Sequence, residues 1–194
     1  MIYGDIAFRL MIIQDNLPIM NRDHLTERTI NIYLQVAETA RFSKELSLSH
    51  SMLLAAFDQV NSFSRLVDQK ILTKLAELLV MEKFDTQAEV IFAIALKNSA
   101  SSSDDSWLRA RIYDGLSEVY IRQANFEKAR KKCEQALRIV AKLPGVDPAL
   151  LSSRKRKLAL INLFQGHNNK AHELFQEAEH SRACTTSSAC KNES

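Results

Sequence analysis

Apolar residues recur along most of this chain at spacings of three and four, the period of a helix that buries one face. "IYGDIAFRLMIIQ" carries Ile2, Ile6, Leu10 and Ile13 at that spacing, and "DNLP" around Pro18 ends the run. Phe8 and Ile12 make this first segment apolar all round, which predicts burial or a dimer contact. A second helix is expected from about Asp23, as cap, through Ile30, Leu34 and Ala37 to Ala40. A third covers "KELSLSHSMLLAAFDQVNSF", with Leu46, Leu53, Leu54 and Phe57 as its inner stripe. Three helix pairs follow, at roughly 65–82 with 85–98, 105–123 with 126–142, and 147–165 with 168–182. The connectors read as caps and stops. Asp104 and Asp105 close a serine run, Pro144-Gly145 breaks the chain, Asp147 caps, and Pro148 takes a first helical position. The expectation is about nine helices and no strand.

The pairs repeat one another. Ala129 and Ala136 stand seven apart, as do Ala171 and Ala178, and the two copies are offset by 42 residues. Tyr120 and Phe126 of the first copy fall on Asn162 and Asn168 of the second. Upstream, Ala88 and Ala95 are again seven apart, 41 residues before Ala129, with Phe84 placed as though the turn held one extra residue. A fixed period of this size marks a stacked repeat architecture. The alanines let two helix backbones approach closely, while Leu75, Leu79, Leu116, Tyr120 and Phe126 fill the remaining space. Residues 1–64 read as degenerate helices ahead of three clear repeats over 65–182, all in one domain spanning 1–182. The Ser/Thr-rich 183–194 has no apolar period and is expected to be a disordered tail.

This pattern resembles the tetratricopeptide repeat. Tyr113, Leu116, Ser117, Tyr120, Phe126, Ala129, Cys133 and Ala136 occupy its motif positions, with Ser117 for the usual glycine. The last copy keeps Leu158, Ala159, Gly166, Ala171, Phe175 and Ala178, but has Asn168 where the family has an aromatic; the upstream copy keeps Leu72, Ala76, Leu79, Ala88, Phe92 and Ala95. The family repeat is about 34 residues. The longer period here is similar to the long-helix variant of kinesin-light-chain-like and Rap-like proteins, over roughly residues 68–182. The resemblance implies an all-α, right-handed superhelical solenoid of antiparallel helix pairs with a concave groove. Carried over by position, its groove residues are Thr73, Glu77, Arg111, Asp114, Glu118, Arg122, Arg156 and Leu160. Asp114 and Glu118 stand where some members use Lys and Asn to clamp a carboxylate, so that clamp is not expected here.

Charge and composition narrow the rest. The formal net charge of +3 is uneven: residues 1–106 carry −4 and residues 107–182 carry +7. A basic half steers acidic partners. Arg154-Lys155-Arg156-Lys157 is its sharpest feature, and four successive helical residues wrap the helix rather than form one stripe. Such a run is either a solvated helix face or a grip for a carboxylate or phosphate. Lys128, Arg130, Lys131 and Lys132 form a second cluster, where Glu127 and Glu134 are placed to neutralise Lys131 and Arg130. Nucleic-acid binding would need exposed aromatics beside these charges, and Tyr113, Tyr120 and Phe126 are assigned to the core.

Catalytic chemistry finds little support. His172 and His180 are two turns apart, too far to share one metal, and no phosphate loop, nucleophile elbow or HExxH is present. The three cysteines, Cys133, Cys184 and Cys190, fit no metal framework and point to a reducing compartment. No cofactor and no metal are expected. The function read from the chain is a non-enzymatic, cytoplasmic module that binds a peptide or helical segment of another protein in its groove. Neither nucleic acid nor membrane is an expected partner. Two alternatives stay open: a regulatory switch that binds a small peptide or anionic ligand through converging Arg111, Arg122 and Arg156, and a scaffold that self-assembles as a homodimer through the apolar first helix.

Overall fold

The computed structural model describes residues 19–63, 67–98 and 106–189, with side chains over 26–62, 67–98 and 106–181. Eight helices and no strand are found among them: α1 (Ile19–Phe42), α2 (Leu46–Phe63), α3 (Gln69–Met81), α4 (Asp85–Asn98), α5 (Ser106–Arg122), α6 (Phe126–Val140), α7 (Pro148–Phe164) and α8 (Asn168–Ala189). The helix expected over Ile2–Ile13, and the Asp104/Asp105 cap, lie outside the described residues. The chain divides into two compact units, residues 1–101 with α1–α4 and residues 102–194 with α5–α8. Each unit contains two helix hairpins.

One turn is used in all four hairpins. The residue at the bend has positive φ: Lys44 at 64°, Lys83 at 65°, Ala124 at 56° and Gly166 at 77°. The next N–H reaches back to the carbonyl five residues earlier, in Glu45 N→Ala40 O, Phe84 N→Leu79 O, Asn125 N→Tyr120 O and His167 N→Asn162 O, at 2.8–2.9 Å. A second bond closes the inner ring, from Lys44 to Arg41, Lys83 to Val80, Ala124 to Ile121 and Gly166 to Leu163. This pairing of an outer and an inner bond about a left-handed residue is the Schellman stop, which satisfies the last carbonyls of the first helix. The following helix begins at once, so the two must run antiparallel.

Five residues after each bend comes the first of two small buried residues: Ser49 and Ala56, Ala88 and Ala95, Ala129 and Ala136, Ala171 and Ala178, all at most 1% exposed. Small side chains here let the second helix lie against the first. The α1–α2 hairpin is thus a fourth copy in the same register. Its inner stripe is Ser49, Leu53, Ala56 and Val60, whereas Leu46 and Leu54, expected inside, are 51% and 37% exposed. The turn before α4 has the same length as the others. Phe84 stands one residue beyond the bend, where Asn125 and His167 stand, so the extra residue expected there does not exist.

Helix ends follow local chemistry. Asp147 Oδ1 accepts from Ala149 N at 2.8 Å, with Pro148 opening α7. Asp68 caps α3 through Lys70 N, and Asn125 caps α6 through Lys128 N. Asp23 lies inside α1, which starts at Ile19, so it is not the expected cap. α8 runs to Ala189, past the expected stop at 182.

The bend residues give a direct test. A left-handed conformation costs an L-residue roughly 1–2 kcal/mol, part of which glycine returns as unfolded-state entropy. Lys83→Gly and Ala124→Gly are each expected to raise stability by about 0.5 kcal/mol, and Gly166→Ala to lower it by about 1 kcal/mol. An alanine Cβ at position 166 would meet nothing within 4 Å, so backbone strain alone sets that cost. Urea denaturation followed by circular dichroism measures all three.

Candidate functional site

The basic run on α7 is neither a solvated face nor a free anion grip. Each of its four cations meets a different carboxylate. Arg154 Nη2 lies 2.5 Å from Asp114 Oδ2, and Lys157 Nζ lies 3.6 Å from Glu118 Oε2, both on α5. Lys155 and Arg156 turn the other way, to Glu177 at 2.9 Å and Glu179 at 2.6 Å on α8. The 100° step between successive helical residues places α7 electrostatically between two neighbours. Arg154 is buried, with its guanidinium carbon 5.6 Å from the Trp107 ring centre. Asp114 is mostly buried too. Burial raises its carboxyl above the ordinary 3.8 even though Arg154 and Lys157 pull it down.

The same helices border an open cavity of about 580 Å³. Glu118 and Ile121 of α5 face Arg156, Lys157, Leu160 and Phe164 of α7 across it. Leu160 and Phe164 are 49% and 64% exposed, so the cavity offers apolar surface beside charge. Phe164 also stacks on Phe126, with ring centres 5.1 Å apart and planes 13° from parallel.

Of the residues assigned to the groove from the sequence, Glu118, Arg156 and Leu160 come together in this cavity. Asp114 is turned to Arg154 instead. Arg111 is half-buried and Arg122 exposed, and neither lines the cavity, so the three arginines do not converge there. Thr73 and half-buried Glu77 belong to the first unit. Thr73 is fully buried, its hydroxyl donating to Gln69 O at 2.8 Å, and presents nothing to a partner. Phe164 and Lys157 also line the cavity, at positions outside the groove set implied by the resemblance. Phe164 carries a signal: it is an apolar residue two positions before the Gly166 bend, where the corresponding residue of the preceding copy is the charged Arg122.

The second basic cluster is neutralised along α6. Arg130 bridges Glu127 and Glu134 at 2.9 Å each, and Lys131 reaches Glu127 at 3.5 Å. Hydrogen bonds from Arg130 and Gln165 hold the Glu127 carboxyl at about 2. Lys128 and Lys132 lie over the Tyr120 and Tyr113 rings, at 5.3 and 5.2 Å. Cys133 is fully buried, with Sγ donating to Arg154 O at 3.8 Å, and burial pushes its thiol up to about 12. Such a thiol is inert as a nucleophile. Among the described residues no group of His, Cys, Asp or Glu is arranged to hold a metal. No described helix is long and apolar enough to cross a membrane.

Comparison with known proteins agrees with this geometry. The family model for the tetratricopeptide repeat matches residues 108–179, the span of α5–α8 that holds the cavity. No curated protein matches the chain. Among solved structures, BtubC (BKLC) from P. vanneervenii aligns with a TM-score of 0.69 at 19% identity, over 95% of this chain and 82% of that one. At that identity the likeness establishes the fold, and the fold is a tetratricopeptide-like helical solenoid. The recurring Schellman bend and the paired small residues extend the repeat pattern upstream of the matched span. Over residues 108–179 the chain thus matches the tetratricopeptide repeat, and its fold as a whole is similar to that of a long-repeat helical array.

Proposed function

We propose that this protein is a non-enzymatic interaction module that takes a peptide or helical segment of another protein in the cavity between α5 and α7. The observation that carries this reading is the cavity itself. Leu160 and Phe164 are exposed in its wall, flanked by Arg156, Lys157 and Glu118. Exposed apolar anchors ringed by charge are the arrangement in which a few buried contacts supply affinity and the charged rim supplies register and on-rate. The paired state of the rim matters here. A partner must displace or share the Glu179 and Glu118 contacts, so a ligand of mixed sign suits the site better than a highly charged one. Cytoplasmic placement and indifference to nucleic acid belong to the same reading. The lysines of α6 are occupied by carboxylates or tyrosine faces rather than arrayed along a strand-sized groove.

The test is selection of binding peptides from a random displayed library, followed by fluorescence anisotropy on the purified peptide. Leu160→Asp and Arg156→Glu are each expected to weaken binding by at least about tenfold, the scale of one lost anchor or one reversed charge. Both side chains are at the surface, so circular dichroism should be unchanged. Peptides that bind both variants as well as the wild type would place the binding face elsewhere.

A further inference from the structure

A polar recess in the second unit has its origin in the repeat. In the α5–α6 hairpin the bend is backed by two aromatics. Tyr120 is buried, with Lys128 Nζ 5.3 Å from its ring centre, and Phe126 opens α6. Forty-two residues on, Asn162 and Asn168 stand in their places, and Lys170 stands where Lys128 does. Two rings have given way to two carboxamides. An open cavity of about 640 Å³ lies there, with Arg130, Asn162, His167, Asn168, Asn169 and Lys170 in its wall.

Three observations say what would fit it. Asn162 is fully buried; its Nδ2 donates to Leu158 O at 2.8 Å, and its Oδ1 has no partner. A buried acceptor without a donor is costly, and a ligand N–H would relieve it. α8 opens onto the recess without the side-chain cap that Asp68, Asn125 and Asp147 give α3, α6 and α7. His167 supplies only its carbonyl, to Ala171 N, which leaves the first-turn N–H groups and the Lys170 ammonium as donors for an anion. Charge sets the limit. Arg130 and Lys170 are matched by Glu127 and Glu134, which bond Arg130, and Glu134 also stands 4.0 Å from Lys170. A multiply charged anion would meet as much repulsion as attraction, whereas a ligand carrying one carboxylate and one N–H donor meets a partner for each.

We propose that this recess binds a small zwitterion of the α-amino-acid type, its carboxylate on the first turn of α8 and Lys170, its ammonium on Asn162 Oδ1. The site is separate from the α5–α7 cavity and does not depend on a partner binding there.

Glycine is the probe, because it carries the two groups and no side chain. Titrated into the ¹⁵N-labelled full chain, it is expected to shift the amide signals of Asn168, Asn169 and Lys170 along a saturating curve. Acetate and methylammonium, each holding half of the ligand, are expected to bind at least about tenfold more weakly at equal ionic strength. Asn162→Tyr, which restores the residue of the preceding copy, should abolish the shifts, and so should Lys170→Glu. Lys170 is exposed, so that variant decides the matter even if the Asn162 variant fails to fold. Acetate binding as well as glycine would reduce the site to a helix terminus. Shifts that never saturate, or that persist in Lys170→Glu, would overturn the proposal and leave Asn162 to a bridging water.

Discussion

Asp114→Ala is expected to lower the unfolding free energy by about 3–5 kcal/mol, because it strands the buried Arg154 guanidinium without its carboxylate. Trp107 lies against that guanidinium and is the single tryptophan of the chain, so fluorescence-detected urea denaturation reads the site directly. Replacing both partners, Asp114→Leu with Arg154→Met, is expected to be neutral or stabilising. The pair already shows signs of being a net burden. Asp114 Oδ1, Arg154 Nε and Arg154 Nη1 are buried without partners, and burial outweighs Arg154 in setting the Asp114 proton affinity. A double mutant as unstable as Asp114→Ala would mean that the ion pair itself holds α7 against α5.

The same carboxyl gives a pH dependence of definite sign. Its native value is raised above the unfolded 3.8, so the native state holds the proton more tightly. Asp114 therefore contributes most stability below the unfolded value, and that contribution falls as pH rises through the raised native value. The stability of wild type relative to Asp114→Asn is expected to shrink from acid toward neutral pH. Glu127 works in the opposite direction, since Arg130 and Gln165 hold its native value at about 2: its contribution is present above 4.5 and lost on acidification. It is common to both proteins and cancels in the comparison. A gap that widens with rising pH would show that Arg154 outweighs burial at Asp114.

What the sequence made legible was whatever repeats. Ala88/Ala95, Ala129/Ala136 and Ala171/Ala178 announced three hairpins because the need for close backbone approach leaves few residue choices. The α1–α2 hairpin obeys the same geometry, yet its sequence shows the repeat only in degenerate form. Ser49 stands for the first alanine and Ala40 for the large residue before the bend, so the pattern dissolves while the bend at Lys44 persists. Leu46 and Leu54 are exposed although they fit an apolar stripe, since apolar residues on a helix do not declare which face is covered. The basic run posed a different problem. Its partners lie about 40 residues upstream and 22 or 23 downstream, and no spacing rule within one helix connects Arg154 to Asp114 or Arg156 to Glu179. The cavity residues Glu118, Arg156 and Leu160 were reachable because motif position encodes the facing side. Thr73 was not, because position fixes direction and leaves burial to the neighbours. Asn162 and Asn168 were visible from the start as departures from an aromatic pattern, which is the form a functional deviation takes in a repeat.

Phe92→Ala should be the most damaging core substitution in the first unit, at about 3–5 kcal/mol. Phe92 heads the fully buried side chains by volume, on α4 four residues after Ala88. The corresponding residue four after Ala129 is Cys133, also fully buried. A repeat comparison alone would call a small residue acceptable at this place, and packing says otherwise. Each hairpin is filled by its own neighbours, and space shaped around a phenyl ring in one copy is not recovered because another copy is built around a thiol. Phe92→Cys should therefore also destabilise, by less than Phe92→Ala because the sulfur refills part of the void. Trp107 belongs to the other unit, so helix circular dichroism in urea is the appropriate readout. A loss below about 1 kcal/mol for Phe92→Ala would mean that α3 and α4 close over the vacancy, and the repeat could then be described by its register alone, without the volume at each position.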